Sequence, residues 1–214
     1  MIHKRRPKKV KILYISIYDP HVPLNGAGVR GRAFVNHLSR CFDVDLIFMT
    51  GAGQPPLAEP TNTKGASLSS VSSKRKTDFS YFGYFVFSRD LYHMASTMLS
   101  QQPYDFIFCD HSVSGIYGLL LSRRFGVPFI YSSHNVEYLA YRDRIKEDKR
   151  RLALLPYIYG IERMAAKKSR ILISISQDEA DFFASWTDKR KIILIPQGFD
   201  EELYNPFYER IKSD

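Results

Sequence analysis

Cysteine is scarce in this chain, and Cys41 and Cys109 stand alone without C-x-x-C spacing. That argues against a disulfide framework and against a structural zinc site. No apolar run approaches the roughly 20 residues needed to span a bilayer. Acidic residues are outnumbered: 22 Asp and Glu against 31 Lys and Arg leave a net charge of +9. Such an excess invites an anionic partner, whether nucleic acid, lipid headgroup or phosphorylated substrate. Nucleic acid has only charge in its favour, because the aromatic residues do not interleave with basic ones as in stacking platforms. Disorder is excluded by composition, since 44% of the 214 residues are hydrophobic and only 25% charged. The chain reads as a globular protein of a reducing compartment, without internal repeats.

The basic leader 1–9 precedes Val10-Lys11-Ile12-Leu13-Tyr14-Ile15-Ser16-Ile17. Lys11 interrupts the apolar stretch, Asp19-Pro20 ends it, and no small-residue cleavage site follows, so a secretion signal does not fit. Its β-branched residues suit a buried parallel strand. A helix is expected over 28–40, a strand over 44–49, a helix over 89–101 and a strand over 104–109. Another helix ends near Gly126, followed by a strand over 127–131. A long helix over 147–168 should kink at Pro156, and strands over 171–175 and 192–195 flank a helix at 178–186. The segment 51–78, with Pro55, Pro56, Pro60 and a Ser-rich tract, reads as a mobile loop too polar to pack. Repeated β-α-β order with continuous apolar strands predicts an α/β, Rossmann-like, doubly wound parallel sheet. Ligands of such sheets bind beyond the carboxyl ends of the strands.

Three strand ends carry chemistry-bearing residues. After the first comes Asn25-Gly26-Ala27-Gly28-Val29-Arg30-Gly31, which formally satisfies G-x-G-x-x-G. Glycine admits close backbone approach, and a helix N-terminus offers N–H donors to a phosphate. The glycines lie too far past the strand for a dinucleotide site, and Met49-Thr50-Gly51 offers no acid to a ribose. Another phosphate, a sugar, or simply a turn that needs small residues remains open. Cys109-Asp110-His111-Ser112 and Ser132-Ser133-His134-Asn135-Val136-Glu137 end two further strands. Imidazoles beside carboxylates could hold a sugar hydroxyl or act as general base; no ligand spacing for a metal is present. Ser176-Gln177-Asp178-Glu179 fits a capping box. The apolar stretch 152–161, with basic flanks, suits either a core helix or one resting at a membrane interface.

Taken in order, these features resemble the N-terminal half of a GT-B glycosyltransferase of the family-four retaining type. The resemblance spans Val10 to Phe207 and is carried by the delayed Gly26 and Gly28, Pro103-Tyr104-Asp105, and the strand 125–131 leading to His134-Asn135-Val136-Glu137. Ile195-Pro196-Gln197-Gly198-Phe199-Asp200, with Asn205-Pro206-Phe207, is its most specific part and is similar to the segment joining that family's two domains.

The resemblance implies an acceptor-binding domain over 10–207, with 208–214 starting a linker or tail. It also implies a hexose transferred, with retention, from a nucleotide-diphosphate sugar to a saccharide or lipid-linked acceptor. His134 would contact the transferred sugar as the catalytic histidine, and Gly26 and Gly28 would line the cleft. Asp19, His111, Asn135 and Glu137 are substrate-side candidates, and Gly198 and Asp200 belong to the crossing segment. No covalently bound cofactor and no metal are expected. The family's donor-binding residues have no match here, so the chain is expected to be half an enzyme, a cut piece or one partner of a split one, inactive without a C-terminal donor-binding domain or a separate catalytic chain. A non-catalytic subunit recruiting such a chain to a membrane is the alternative. The net charge of +9, the basic leader and the basic-flanked segment 149–170 lead to an expected cytoplasmic location, peripheral to an anionic membrane face.

Overall fold

The computed structural model describes residues 9–20, 26–50, 66–72, 78–81, 84–144 and 149–198. Among them runs a seven-stranded, wholly parallel sheet in the order β3-β2-β1-β6-β7-β8-β9. Its strands are β1 (Lys11–Ser16), β2 (Asp43–Thr50), β3 (Ala66–Ser72), β6 (Phe106–Asp110), β7 (Phe129–Ser132), β8 (Ile171–Ser174) and β9 (Ile192–Leu194). The pair β4 (Asp78–Tyr81) and β5 (Tyr84–Ser88) forms a separate antiparallel hairpin. Helices α1 (Gly26–Cys41), α2 (Arg89–Gln101), α3 (Gly115–Phe125), α4 (Glu137–Arg144), α5 (Leu155–Lys168) and α6 (Gln177–Ala184) complete the fold.

Alternation within β1 builds two cores. Leu13 and Ile15 enter the larger one with Leu91, Leu121, Ala165 and Phe183 from α2, α3, α5 and α6. Ile12 and Tyr14 face the opposite side, where Val35 of α1 packs with Val44, Leu46 and Phe108. A sheet apolar on both faces must be covered on both, which is why its strands read as continuous hydrophobic runs. At the amino edge, the Tyr104 hydroxyl donates to Asp45 Oδ2 at 2.5 Å, and Lys11 N–H donates to Asp105 Oδ2 at 2.7 Å. The Pro-Tyr-Asp motif thus ties β1, β2 and β6 together.

Three elements differ from the sequence expectation. Within the segment expected as a loop, residues 66–72 form β3, in register with β2 from Val44↔Ala66 to Thr50↔Ser72. Parallel pairing is a backbone interaction, and the sequence ASLSSVS hides it behind small polar residues. Residues 51–65 and 73–77 lie outside the described residues. Pro156 does not kink a helix: a 3-10 turn at 149–154 precedes α5, and Pro156 stands in its first turn. There a missing N–H removes no helical hydrogen bond. Helix α4 was not foreseen, and its N-terminus is capped by a distant residue, Glu162. The stretch 152–161 is half-buried: Leu154 and Ile158 enter a small core beside Tyr141, while Leu152, Ala153 and Pro156 stay exposed.

Candidate active site at the carboxyl edge of the sheet

Strand β6 ends in Asp110, which is 1% exposed, and the following His111 takes a φ of 79° and ψ of 154°. That region is costly for a residue with a Cβ. Short hydrogen bonds enforce it: Ser114 Oγ donates towards the carbonyls of Asp110 and His111 at 2.6 and 2.7 Å, and His111 N–H donates to the Ser132 carbonyl at 3.0 Å. The kink turns the chain from β6 into the 3-10 turn 112–114 and sends Asp110 and His111 in different directions.

Each of the two histidines meets its own carboxylate. His134, after β7, sits with Nε2 2.7 Å from Asp110 Oδ1. His111 Nε2 lies 3.1 Å from Glu137 Oε1. The two imidazoles meet edge to face, with centroids 5.4 Å apart, and Tyr18 also meets His111 edge to face at 5.5 Å. A carboxylate only accepts, so each Nε2 carries the proton. Their other nitrogens differ. His111 Nδ1 is engaged within the turn, accepting from Val113 N–H and meeting Ser112 Oγ, each at 3.4 Å. Among the described residues no hydrogen-bond partner is found for His134 Nδ1. Of the two candidates, His134 has a nitrogen left for a substrate.

Around this pair lies a buried polar shell. Asn135 Nδ2 donates to Glu137 Oε1 at 2.6 Å. Burial opposes the Glu137 charge, but the His111 hydrogen bond and the charges of His111, Arg144 and His134 outweigh it and hold the carboxyl below its usual range. Glu162 of α5 is fully buried and accepts from the amides of Glu137 and Tyr138 at 2.8 and 2.9 Å, satisfying two donors that a helix N-terminus leaves open. Burial raises its pKa to about 7 despite those bonds. Arg30 of α1 is 4% exposed and donates through Nη2 to the Ile195 carbonyl at 3.0 Å. Burial lowers its pKa, opposed by the charges of Asp110, Tyr14 and Glu179. Burial also raises Tyr14 well above the usual phenol range, with Asp110 adding to the rise.

The remaining candidates are placed as follows. Gly26 opens α1 and Gly28 is buried within it; the first turn of α1 holds no acidic residue. Gln197 Nε2 donates to the Gly26 carbonyl at 3.4 Å, so the crossing segment passes beside the start of α1. Gly198 is exposed at its end, with open space around it. Asp19 follows β1 at the same edge, and Asp200 lies outside the described residues. The Ser176 cap is present: its Oγ accepts from Glu179 N–H at 3.3 Å. Sequence reasoning left out Asp110, Arg30, Gly31 and Glu162. The first three lie inside motifs already singled out. Glu162 had one signal, the only acid of α5, spaced to share a face with the apolar Ile158, Ala165 and Ala166.

The profile of Glycosyltransferase Family 4 matches residues 24–203. The chain belongs to that family. No curated protein matches it by sequence. Among solved structures of similar fold, sucrose-phosphate synthase from Thermosynechococcus elongatus superposes with a TM-score of 0.60 at 17% identity, over 91% of this chain and 50% of that one. Anabaena HepE in complex with UDP gives 0.57 at 12% identity, over 95% and 50%. UDP-N-acetylglucosamine 2-epimerase from Rickettsia bellii gives 0.54 at 11% identity, over 97% and 50%. The chain therefore spans about half the length of these structures, and its sheet is the N-terminal Rossmann-like unit of the GT-B fold. Among the described residues, no group of three His, Cys, Asp or Glu side chains is arranged to hold a metal ion.

Proposed function

We propose that this Family 4 domain is the acceptor-side wall of a retaining glycosyltransferase moving a hexose from a nucleotide-diphosphate sugar to a saccharide or lipid-linked acceptor. The observation that carries the reading is the Asp110–His134 pair, whose Nδ1 is unengaged by any described residue at the mouth of a parallel sheet. Beside it the start of α1, without an acid in its first turn, suits an anionic diphosphate. The complex of HepE with UDP supports a nucleotide sugar as donor. His134 then accepts a hydrogen bond from a hydroxyl of the transferred sugar through Nδ1, while backbone dipoles counter the charge developing on the departing diphosphate. The match to half of each solved structure also supports a second reading, a non-catalytic subunit that recruits a separate catalytic chain.

Joining residues 1–207 to the C-terminal domain of another Family 4 member, and assaying it with labelled nucleotide sugars, tests the reading. His134→Ala should lower kcat by about a hundredfold or more, measured on folded protein, and should also lower the melting temperature, because it leaves the buried Asp110 carboxylate without its hydrogen bond. Retention of full activity would remove His134 from the site. Absence of transfer, together with stable capture of a second Rossmann-like chain from its own cell extract, would favour the recruiting subunit.

A further inference from the structure

We propose that Asp110 is a positioning residue that holds His134 in the Nε2–H tautomer and so presents Nδ1 to the substrate as an acceptor. The proposal rests on the transferase reading for its consequence in catalysis, but not for its structural content. Asp110 reaches Nε2 with Oδ1 at 2.7 Å, and its other oxygen, Oδ2, is buried without a hydrogen-bond partner among the described residues. A carboxylate normally spreads its acceptor sites over several donors; here the short bond to the imidazole fixes Oδ1, and the buried Tyr14 hydroxyl lies beside the carboxyl.

The surroundings restrain that aim. Gly31 of α1 comes so close that a Cβ there would lie 2.9 Å from Oδ2, leaving no room for the carboxyl to turn towards α1. On the chain side, the Ser114 hydroxyl grips the Asp110 carbonyl at 2.6 Å. Arg30, the buried cation next to Gly31 on α1, has its Nη2 anchored to the Ile195 carbonyl and interacts favourably with the Asp110 charge. Gly31 and Arg30 thus have a joint purpose that the phosphate-loop reading of G-x-G-x-x-G does not supply: one packs against the carboxylate that orients the histidine, and the other adds a favourable charge to its surroundings.

The polarity of Nδ1 follows from this. With Asp110 ionised, Nε2 keeps the proton and Nδ1 offers a lone pair to a sugar hydroxyl. In Asp110→Asn the amide can donate to Nε2, which then becomes the acceptor; the proton moves to Nδ1, and the face towards substrate changes from acceptor to donor. Similar inversion of an oriented imidazole is costly in hydrolytic triads.

Two measurements decide it. Nitrogen-15 chemical shifts of the His134 ring in the 214-residue chain, above the pH at which the imidazole is neutral, should show the Nε2–H form in the wild type and the Nδ1–H form in Asp110→Asn. In the two-domain enzyme the same substitution should lower kcat at least tenfold with a smaller change in KM, and shift the acid limb of the pH profile. Should Asp110→Asn fail to fold, Gly31→Ala supplies the test, since its methyl displaces the carboxyl without removing it; a mixture of tautomers is expected. A wild-type ring in the Nδ1–H form overturns the proposal, as does an Asp110→Asn enzyme slowed with its tautomer unchanged. A wild-type two-domain enzyme that transfers no sugar refutes the transferase reading instead, and the ring shifts still decide the role of Asp110.

Discussion

Gly118 of α3 faces the sheet so closely that a Cβ would lie 2.6 Å from Phe129 Cδ2 and 2.7 Å from Cys109 Sγ. Neither neighbour can give way, because Phe129 and Cys109 are themselves buried in the main core. Gly118→Ala should therefore destabilise the chain by about 1–3 kcal/mol through overpacking, against the gain of helix propensity expected at an exposed site. Urea unfolding measures it, and a variant as stable as the wild type would mean that α3 moves freely on the sheet. The same scale separates the histidines. Both follow strands, and both meet a carboxylate, yet only the local turn engages the second nitrogen of His111. Sequence alone gives the two the same signature, because the difference lies in a backbone φ of 79° held by Ser114.

Helix α4 depends on α5 for its first turn. Glu162 accepts from the amides of Glu137 and Tyr138, and Glu137 in turn holds His111 and Asn135. Its pKa, raised from 4.5 to about 7 by burial, makes this junction sensitive to pH. Below pH 4.5 both folded and unfolded chains keep the proton, and the contribution to stability is complete. Between 4.5 and 7 the unfolded state releases it while the folded state retains it, so stability falls as pH rises and the contribution is lost above 7, by about 3 kcal/mol at most. Glu137, held below its usual value, acts in the opposite sense and loses its contribution as pH falls. Glu162→Gln should therefore gain on the wild type between pH 5 and 8, read as the difference in urea midpoint. A difference that stays constant with pH would show that Glu162 does not titrate in that window.

At the scale of the whole molecule, the proposed function gives this chain one wall of a cleft. Orientation of both reactants and exclusion of water account for much of a transfer rate, and one wall achieves neither. The 214-residue chain by itself should bind nucleotide-diphosphate sugars with a dissociation constant on the order of millimolar and show no turnover. Titration calorimetry and product detection check this, and steady multiple turnover would refute the half-site account. Among the described residues no helix is long and apolar enough to cross a membrane. The charge of +9, with Leu152 and Met164 exposed near Lys149, Lys167 and Lys168, leads us to expect flotation with anionic vesicles that is lost in high salt. Equal flotation with neutral vesicles would show that charge is not the cause.

The order of strands and helices was legible in the residues because the signals are local. Runs such as VDLIFM can be buried only in a sheet covered on both faces, and Gly126 stops α3 in a left-handed cap with φ of 71°. The family was legible too, since its motifs are contiguous stretches, and with them the candidate residues at the carboxyl edge of the sheet. What the tertiary structure decided is which side chains meet there. Asp110 and His134 are 24 residues apart, Glu162 and Glu137 are 25 apart, and Arg30 reaches Ile195 across 165. Parallel crossovers bring such residues together, and no local pattern encodes that juxtaposition. The strand β3 was hidden for a related reason: its pairing is made by backbone groups that every sequence carries, at a distance that only the fold sets.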